Sequence, residues 1–190
     1  MVMTFPERAP RLIVSDIDGT LLDRNHRVPK RNREVIARAV NAGAEFALAT
    51  GRPFRWIMPV LEQLTVRPVC VTSNGAVIYD SAEDRVLSTH ELSPEALAET
   101  VNVASRALQP LGGAGFGAER AGGSLLDPVD ELFVVESHYS ENAMFEGFGL
   151  VSVGELVSQP AVKLLIRNTN YSAPELYELV APHIDPELAH

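Results

Sequence analysis

The 190-residue sequence predicts an α/β protein with a Rossmann-like parallel sheet, followed by an inserted module of α+β type. Three observations lead to this prediction. Short apolar runs alternate with amphipathic helical patterns over residues 11–72, and each apolar run ends in polar, turn-forming residues. Hairpin signals and isolated helices replace that alternation near residues 80–90. Strand–helix–strand alternation is typical of parallel sheets with right-handed crossovers, so we expect a parallel core at 1–82 and a second domain at 83–190.

The composition is that of an ordinary globular protein, with 46% hydrophobic and 22% charged residues. The net charge of -9 argues against non-specific binding to nucleic acid, which requires basic surface. The sequence has no secretion signal and no apolar run of about 18 residues, so we expect a cytoplasmic protein that does not bind membranes. Its single cysteine, Cys70, lies in an apolar run and is expected to be a small buried residue.

The first part of the chain predicts three strands and two helices. The first helix opens at Pro29, which suits a first helical turn, and it ends before Gly43. The second helix is predicted from apolar residues at helical spacing between Phe54 and Leu64. The strands are predicted at residues 12–14, 45–50 and 68–72.

The second part of the chain predicts antiparallel strands and separate helices. Apolar residues recur on one face of a helix that begins at Ser93-Pro94. The spacing of Ser172 and Glu175 is that of a capping box and predicts a further helix start. Strands are predicted at residues 76–79, 85–87, 132–135 and 161–166, with another within the glycine-rich segment 112–123.

The first strand leads directly into two carboxylates, Asp16 and Asp18, which are followed by Gly19. In an extended chain these two side chains emerge on the same side. Neighbouring carboxylates repel each other, and a cation or a shared proton relieves that repulsion. Mg²⁺ prefers one or two carboxylates together with waters and a phosphate oxygen. A carboxylate in this position can also attack phosphorus, which makes Asp16 a candidate nucleophile and metal ligand.

The next two strands also end in polar turns, Thr50-Gly51-Arg52 and Ser73-Asn74-Gly75. Ligands of open parallel sheets bind beyond the carboxyl ends of the strands, so the three turns are expected to converge. Each turn alone is compatible with an ordinary loop. Together they predict a site for phosphoryl transfer, which needs chiefly positioning and charge neutralisation. In that site the Thr50 hydroxyl binds the phosphoryl group, and Asp18 exchanges protons with the leaving oxygen and with water.

These motifs resemble those of a known family. Asp16-Ile17-Asp18-Gly19-Thr20-Leu21-Leu22 resembles the first motif of the haloacid dehalogenase-like phosphohydrolases, and Ala49-Thr50-Gly51-Arg52 resembles the second. Thr72-Ser73-Asn74-Gly75-Ala76 is similar to a loop of the Cof-type, class IIB subgroup, which inserts an α/β (C2-type) cap after the third core strand.

The resemblance implies a Mg²⁺-dependent phosphatase that forms an aspartyl-phosphate intermediate. Asp16 is then the nucleophile and Asp18 the general acid and base, and both ligate the metal, Asp18 through its backbone carbonyl. Thr50 binds the phosphoryl group. The substrate is implied to be a small phosphorylated metabolite, such as a sugar phosphate, close to Gly51, Arg52, Asn74 and Gly75.

Two further motifs of that family are not found. The family uses a late lysine and a Gly-Asp followed by another Asp, whereas this sequence contains no Gly-Asp dipeptide. Its only late lysine, Lys163, lies in an apolar, strand-like run and is expected to be structural. We therefore expect a fragment or a naturally short relative with weak or no phosphatase activity. The sheet is expected to keep an exposed edge through which the chain can self-associate.

Two other functions remain open at this stage. A phosphomutase of the same superfamily uses the same motifs, and a non-catalytic phosphate-binding or regulatory module needs only part of the catalytic set. A Rossmann-type dinucleotide site is disfavoured because no G-x-G-x-x-G follows the first strand. The sequence does not specify the substrate.

Overall fold

The computed structural model describes residues 10–141 and 147–185. Within them the chain forms two compact units, of which the first ends at Ser88 and the second begins at Thr89. This division lies a few residues beyond the 82/83 boundary expected from the sequence. The reason is that the strand over Arg85–Thr89 is hydrogen-bonded into the sheet of the first unit.

The first unit contains a five-stranded mixed sheet in the order β1-β2-β3-β4-β5. The first three strands are parallel, and β4 runs antiparallel to β3. Parallel pairing places the carboxyl ends of β1, β2 and β3 at one edge of the sheet, as the sequence predicts. The strands are β1 Leu12–Ser15, β2 Glu45–Ala49, β3 Val69–Thr72, β4 Val77–Asp80 and β5 Arg85–Thr89, and the helices are α1 Lys30–Asn41 and α2 Met58–Leu61.

The two faces of this sheet differ in burial. Alternate residues, among them Leu48, Cys70 and Tyr79, are almost completely buried on one face. On the opposite face Leu12 and Val14 are 53% and 55% exposed. Because successive side chains of a strand point to opposite faces, the first face carries the core of this unit and the second is open to solvent.

The region predicted as one long second helix is divided in two. Residues Phe54–Trp56 form a 3₁₀ turn, and only Met58–Leu61 are α-helical. Pro59 has no amide hydrogen, and its ring would clash with the carbonyl four residues earlier in a continuous helix. The prediction of a single helix was therefore wrong in extent, although its apolar residues Phe54, Ile57 and Leu61 are buried as expected.

The second unit has its own four-stranded sheet, in the order β8-β7-β6-β9. Strand β6 is antiparallel to β7 and β9, and the short β8 is parallel to β7. The elements are α3 Pro94–Leu108, β6 Gly115–Glu119, α4 Val129–Leu132, β7 Phe133–Val135, α5 Ser137–Ser140, β8 Gly149–Leu150, α6 Val153–Leu156, β9 Lys163–Arg167 and α7 Ala173–Val180.

Helix α3 contributes one face to the core of this unit. The four residues predicted to share its apolar face, Leu97, Val101, Ala104 and Leu108, are all buried against the sheet and α7. Ser93 caps the helix by accepting a hydrogen bond from the Ala96 amide. None of the helices that the structure describes is long and apolar enough to span a membrane.

Two further sequence predictions are met closely here. The Ser172 and Glu175 capping box is formed at the start of α7. The strand predicted at 161–166 begins at Lys163 instead, because Ala161 forms an isolated bridge with Leu92, in which the Leu92 amide donates to the Ala161 carbonyl at 2.8 Å.

Candidate active site

The turn after β1 holds Asp16 and Asp18 at the surface. The Leu21 amide donates to the Asp16 carbonyl at 3.2 Å, and Leu22 donates to Ile17 at 3.0 Å, so one wide turn covers Ile17–Leu21. Gly19 has φ +77°, a left-handed conformation that glycine adopts without strain. Ile17 and Leu21 are buried while both carboxylates are exposed. The apolar residues therefore anchor the turn and leave the carboxylates accessible to a ligand.

The ends of β2 and β3 are joined by backbone hydrogen bonds. The Thr50 amide donates to Val71 at 2.8 Å, and the Asn74 amide donates to the Thr50 carbonyl at 3.2 Å. The Ser73 amide donates to the Arg52 carbonyl at 2.9 Å. Thr50 is buried, and its hydroxyl accepts the Arg52 amide at 3.2 Å. The second and third strand-end turns thus form one hydrogen-bonded structure, in agreement with the convergence expected from the sequence.

These two turns approach each other closely at Gly51. A Cβ atom on Gly51 would lie 2.7 Å from Oδ1 of Asn74. The turn that carries Asn74 is itself unusual, because Ser73, Asn74 and Gly75 have φ values of 51°, 58° and 101°. A left-handed conformation is costly for a residue such as Ser73, and such local strain is frequent at functional sites. The Gly51 backbone and the Asn74 side chain therefore face each other closely.

Arg52 connects the second strand end to the first. Its Nε atom lies 2.7 Å from Oδ2 of Asp18, and its Nη2 atom lies 2.6 Å from Oδ1. These hydrogen bonds lower the pKa of Asp18 and raise that of Arg52. The charge of Asp16 also raises the Arg52 pKa, so this carboxylate lies within electrostatic range of the same guanidinium. The two acidic residues and one cation form a compact charged cluster.

Two residues of this region were not identified from the sequence. His26 acts electrostatically on Asp18 and lowers its pKa further. It lies in a turn held by Asp23, whose carboxylate accepts the amides of Asn25 and Arg27 at 2.8 and 3.0 Å. The Ser73 hydroxyl is buried and has no hydrogen-bond partner among the residues that the structure describes. No sequence signal marks His26, and the sequence places Ser73 in the third turn without assigning its hydroxyl a role, since both features depend on how the turns fold back.

The donor atoms at the end of β1 suit a magnesium ion. The Asp16 carboxylate is exposed and accepts no hydrogen bond from the described part of the chain. Mg²⁺ typically takes one or two protein carboxylates and keeps several waters. Within residues 10–141 and 147–185 there is no cluster of three or more His, Cys, Asp or Glu side chains arranged for a metal. Both carboxylate oxygens of Asp18 are bonded to Arg52, so the Asp16 carboxylate is the acidic donor at this strand end that is available to such a site.

Lys163 and Asp127 of the second unit make contacts within that unit. Lys163 lies in β9, in register with Glu119 of β6. Asp127 accepts the amides of Gly123 and Ser124 at 2.6 and 3.1 Å, which is the turn chemistry that its sequence context suggests.

Comparison with known proteins supports the assignment of the motifs. The model of the haloacid dehalogenase-like hydrolase family matches residues 13–111, more than half of the chain. The chain is 37% identical over 70 residues to "Phosphatase YwpJ" of Bacillus subtilis, a match that covers 37% of this chain and 25% of the relative. It is 35% identical over 86 residues to "5-amino-6-(5-phospho-D-ribitylamino)uracil phosphatase YwtE" of the same organism, a match that covers 45% of this chain and 29% of the relative.

A solved structure extends the similarity to the second unit. The subclass IIB sugar phosphatase BT4131 superposes on 90% of this chain with a TM-score of 0.60 and 17% sequence identity. The aligned part is 64% of that protein's chain, so the present chain spans less than two thirds of the length of such relatives. At this identity the superposition establishes the fold alone. The family match over more than half of the chain, together with the three strand-end motifs, shows that this chain belongs to the haloacid dehalogenase-like hydrolases.

Proposed function

We propose that this chain carries the nucleophile side of a Mg²⁺-dependent phosphatase that hydrolyses small phosphorylated metabolites. The single observation that supports this most is the linkage of the three strand ends. Thr50 and Asn74 are hydrogen-bonded through the backbone, and Arg52 extends from the same turn to Asp18. A phosphoryl group at this point meets a carboxylate, a hydroxyl, an amide side chain and a guanidinium at once.

The proposed reaction uses Asp16 twice. One Asp16 carboxylate oxygen attacks phosphorus, the bond to the ester oxygen breaks, and the proton of Asp18 passes to the leaving alkoxide. Asp18, now a carboxylate, then takes a proton from water as the water oxygen attacks phosphorus and releases Asp16. The Asp16 carboxylate and the Asp18 backbone carbonyl would hold Mg²⁺, which would neutralise charge on the phosphoryl group. Thr50 and the Asn74 amide orient the phosphoryl group.

The ion pair with Arg52 imposes a condition on this scheme. Arg52 lowers the pKa of Asp18, which favours the carboxylate and suits the second step. The first step needs a protonated Asp18, and its pKa must therefore rise when substrate is bound. Transfer of Arg52 from Asp18 to a phosphoryl oxygen accomplishes this, because phosphate, like carboxylate, is a bidentate partner for guanidinium, and the transfer removes the main cause of the lowered Asp18 pKa.

The second unit is proposed to be the class IIB cap, which in this family covers the core and contributes to substrate selection. The four-stranded sheet and helices of this unit support the assignment, as does the similarity in fold to BT4131 over 90% of the chain. YwtE is named as a phosphatase of a phosphorylated ribitylamino-uracil, and it is 35% identical over the matched segment. A small, hydroxyl-bearing phosphate ester, such as a sugar phosphate, is accordingly the proposed substrate class.

A non-catalytic phosphate-binding module is the second candidate. It is favoured by the Arg52–Asp18 pair, which stabilises the form of Asp18 unable to protonate a leaving group. It is favoured further by the lack of a Gly-Asp dipeptide, since the family's last acidic motif contains one. For the 190 residues alone we therefore propose weak turnover with retained phosphate binding.

Two measurements on the purified chain distinguish these candidates. The first is hydrolysis of p-nitrophenyl phosphate with and without Mg²⁺, and the second is calorimetric binding of beryllofluoride, a phosphoryl mimic that attaches to carboxylates. We expect Mg²⁺-dependent beryllofluoride binding and slow hydrolysis, both lost in Asp16→Asn. The matched control is Asp130→Asn, an exposed acid in the second unit.

Each outcome has a definite meaning. Hydrolysis that survives Asp16→Asn contradicts the assignment of the nucleophile. Binding of beryllofluoride without any hydrolysis supports the non-catalytic module. Rapid hydrolysis that Asp16→Asn abolishes supports the phosphatase and overturns the expectation of weak turnover.

A further inference from the structure

We propose that Ser73 binds the phosphoryl group through its hydroxyl, and that the turn over Ser73–Gly75 changes conformation to bring the hydroxyl there. This turn follows β3 and carries Asn74. The role rests on the proposed function, since it belongs to the same phosphoryl site. Two features of Ser73 point to it, an enclosed hydroxyl without a partner and a left-handed backbone.

The Ser73 hydroxyl is an exception among the buried side-chain groups that the structure describes. Ser73 is 4% exposed, and its Oγ atom is enclosed without a hydrogen-bond partner. Neighbouring buried hydroxyls are paired. Thr72 donates to the Val77 carbonyl at 3.3 Å. Thr50 accepts the Arg52 amide at 3.2 Å. Burial of an unpaired hydroxyl is unfavourable, so a conformation in which Ser73 gains a partner competes with this one.

The enclosure of this hydroxyl decides how it can find a partner. Because described residues already surround the Oγ atom, no further segment of chain reaches it while the turn keeps this conformation. A partner becomes available only when the turn moves and carries the hydroxyl into open space. The backbone contacts of the turn show where that space lies.

The turn is fastened to the residues proposed to hold the phosphoryl group. The Ser73 amide donates to the Arg52 carbonyl at 2.9 Å. The Asn74 amide donates to the Thr50 carbonyl at 3.2 Å. A change of conformation at Ser73 therefore takes place directly beside the proposed phosphoryl position.

The backbone of Ser73 is strained, whereas that of the next two residues is not. Ser73, Asn74 and Gly75 all have positive φ values, of 51°, 58° and 101°. Asparagine and glycine tolerate the left-handed region, but serine has no such tolerance. The other described non-glycine residues with positive φ are His26 and Asp84, whose residue types are also enriched there. Return of Ser73 to an ordinary backbone conformation relieves this strain and redirects its side chain.

A phosphate group suits the hydroxyl that this movement releases. A hydroxyl that donates to an anionic oxygen forms a charge-assisted hydrogen bond, which is stronger than a neutral one. Ser73 is bonded through its amide to Arg52, the residue proposed to move from Asp18 to the phosphoryl oxygen. The ligand shifts the turn because it makes this additional hydrogen bond in only one of the two conformations.

Titration calorimetry with inorganic phosphate and Mg²⁺ measures the affinity, and urea unfolding measures the stability. Ser73→Ala is expected to weaken phosphate binding by about tenfold, the effect of one hydrogen bond to a charged group. Its urea midpoint should be equal or higher, because an unpaired buried hydroxyl is removed. Ser81→Ala is the matched control, since the Ser81 hydroxyl donates to the Pro68 carbonyl at 2.6 Å. This control should have a lower midpoint and an unchanged phosphate affinity.

A second variant and a spectroscopic measurement examine the change of conformation. Ser73→Gly removes the hydroxyl together with the left-handed strain, and should lose as much affinity as Ser73→Ala. In the unchanged chain the ¹³Cα and ¹³Cβ NMR shifts of Ser73 depend on its backbone conformation. Both shifts should change when phosphate is added.

Weaker phosphate binding in both Ser73 variants without a loss of stability supports the proposal. Unchanged affinity in Ser73→Ala overturns it, as do Ser73 shifts that phosphate does not alter. An unfolded Ser73→Ala protein also overturns it, because the hydroxyl then serves the fold. If one of these results occurs while Asp16→Asn still abolishes beryllofluoride binding, the proposed function stands and only the role of Ser73 is rejected. Failure of the unchanged chain to bind phosphate or beryllofluoride overturns both.

Discussion

The guanidinium of Arg52 donates two hydrogen bonds to the carboxylate of Asp18, 2.7 Å from Nε to Oδ2 and 2.6 Å from Nη2 to Oδ1. The partners are 34 residues apart and stand at the ends of different strands. A bidentate ion pair of this kind is stronger and more directional than a single hydrogen bond. It lowers the pKa of Asp18 and so favours the ionised form of this candidate proton donor.

Replacement of Arg52 by alanine is expected to raise the pKa of Asp18 towards its ordinary value, because the two hydrogen bonds are its main perturbation. The pKa is lower in the folded chain than in the unfolded one. The pair therefore stabilises the fold above the ordinary carboxyl range, and this contribution disappears as pH falls through the folded value. Since the Asp18 side chain is 53% exposed, the loss at neutral pH should be below about 1 kcal/mol.

Carboxyl-carbon NMR titration of Asp18 measures the change directly, and urea unfolding at neutral and acidic pH measures the stability. Arg52→Lys is the matched control, because lysine keeps the positive charge but cannot form the two paired hydrogen bonds. The pKa of Asp18 in this variant should lie between those of the unchanged chain and of Arg52→Ala. An Asp18 titration that is identical in all three proteins contradicts the prediction.

Substitution of Gly51 by alanine is expected to displace the Asn74 side chain, because the new methyl group would lie 2.7 Å from Asn74 Oδ1. The clash involves the end of a side chain, so the fold should lose only about 1 kcal/mol. Binding of inorganic phosphate or beryllofluoride should weaken more than the stability does, since Asn74 then no longer faces the proposed phosphoryl position.

Calorimetric binding and urea unfolding test these two effects separately. Gly154→Ala serves as the control, because its new methyl group meets no atom closer than 3.9 Å. Unchanged ligand binding in Gly51→Ala would remove Asn74 from the proposed site.

Substitution of Gly115 by alanine should destabilise the second unit strongly. A Cβ atom there would clash with the Tyr139 backbone, at 2.6 Å from its Cα atom. Backbone cannot move aside as a side chain can, so we expect a loss of about 2–4 kcal/mol in the free energy of unfolding. Gly117→Ala is the matched substitution in the same strand. Its nearest neighbour is a Val135 methyl group at 3.2 Å, and it should cost less.

Thermal or urea unfolding of both variants tests this order. Equal stability losses at positions 115 and 117 would show that β6 can shift away from α5, contrary to the packing described above. A retained beryllofluoride response in Gly115→Ala would also show that the first unit keeps its site when the second is weakened.

Much of the site could be predicted from sequence because its parts are local. Asp16 and Asp18 follow an apolar strand run, and Thr50 and Asn74 follow the next two strands. Periodicity predicts where strands end, and parallel connection brings those ends to one edge of the sheet. The helix face of α3 was equally predictable, because burial of a stripe at helical spacing depends on the sequence pattern alone.

Other features depended on contacts between distant residues. Position 52 was assigned to substrate, and only the fold shows that its guanidinium reaches Asp18. The influence of His26 on Asp18 and the buried Ser73 hydroxyl have no counterpart in a local pattern. Pro59 ends one helix and starts another because of a clash with a carbonyl four residues away, which apolar spacing does not reveal.

The sequence by itself determined the family, the alternation of strands and helices and the carboxylates at the end of β1. Each of these depends only on residues that are close together in the chain. The tertiary structure decided the partner of Asp18 and the close approach of Gly51 to Asn74. Both depend on which strand ends meet, and that information arises only when segments far apart in the chain are brought together.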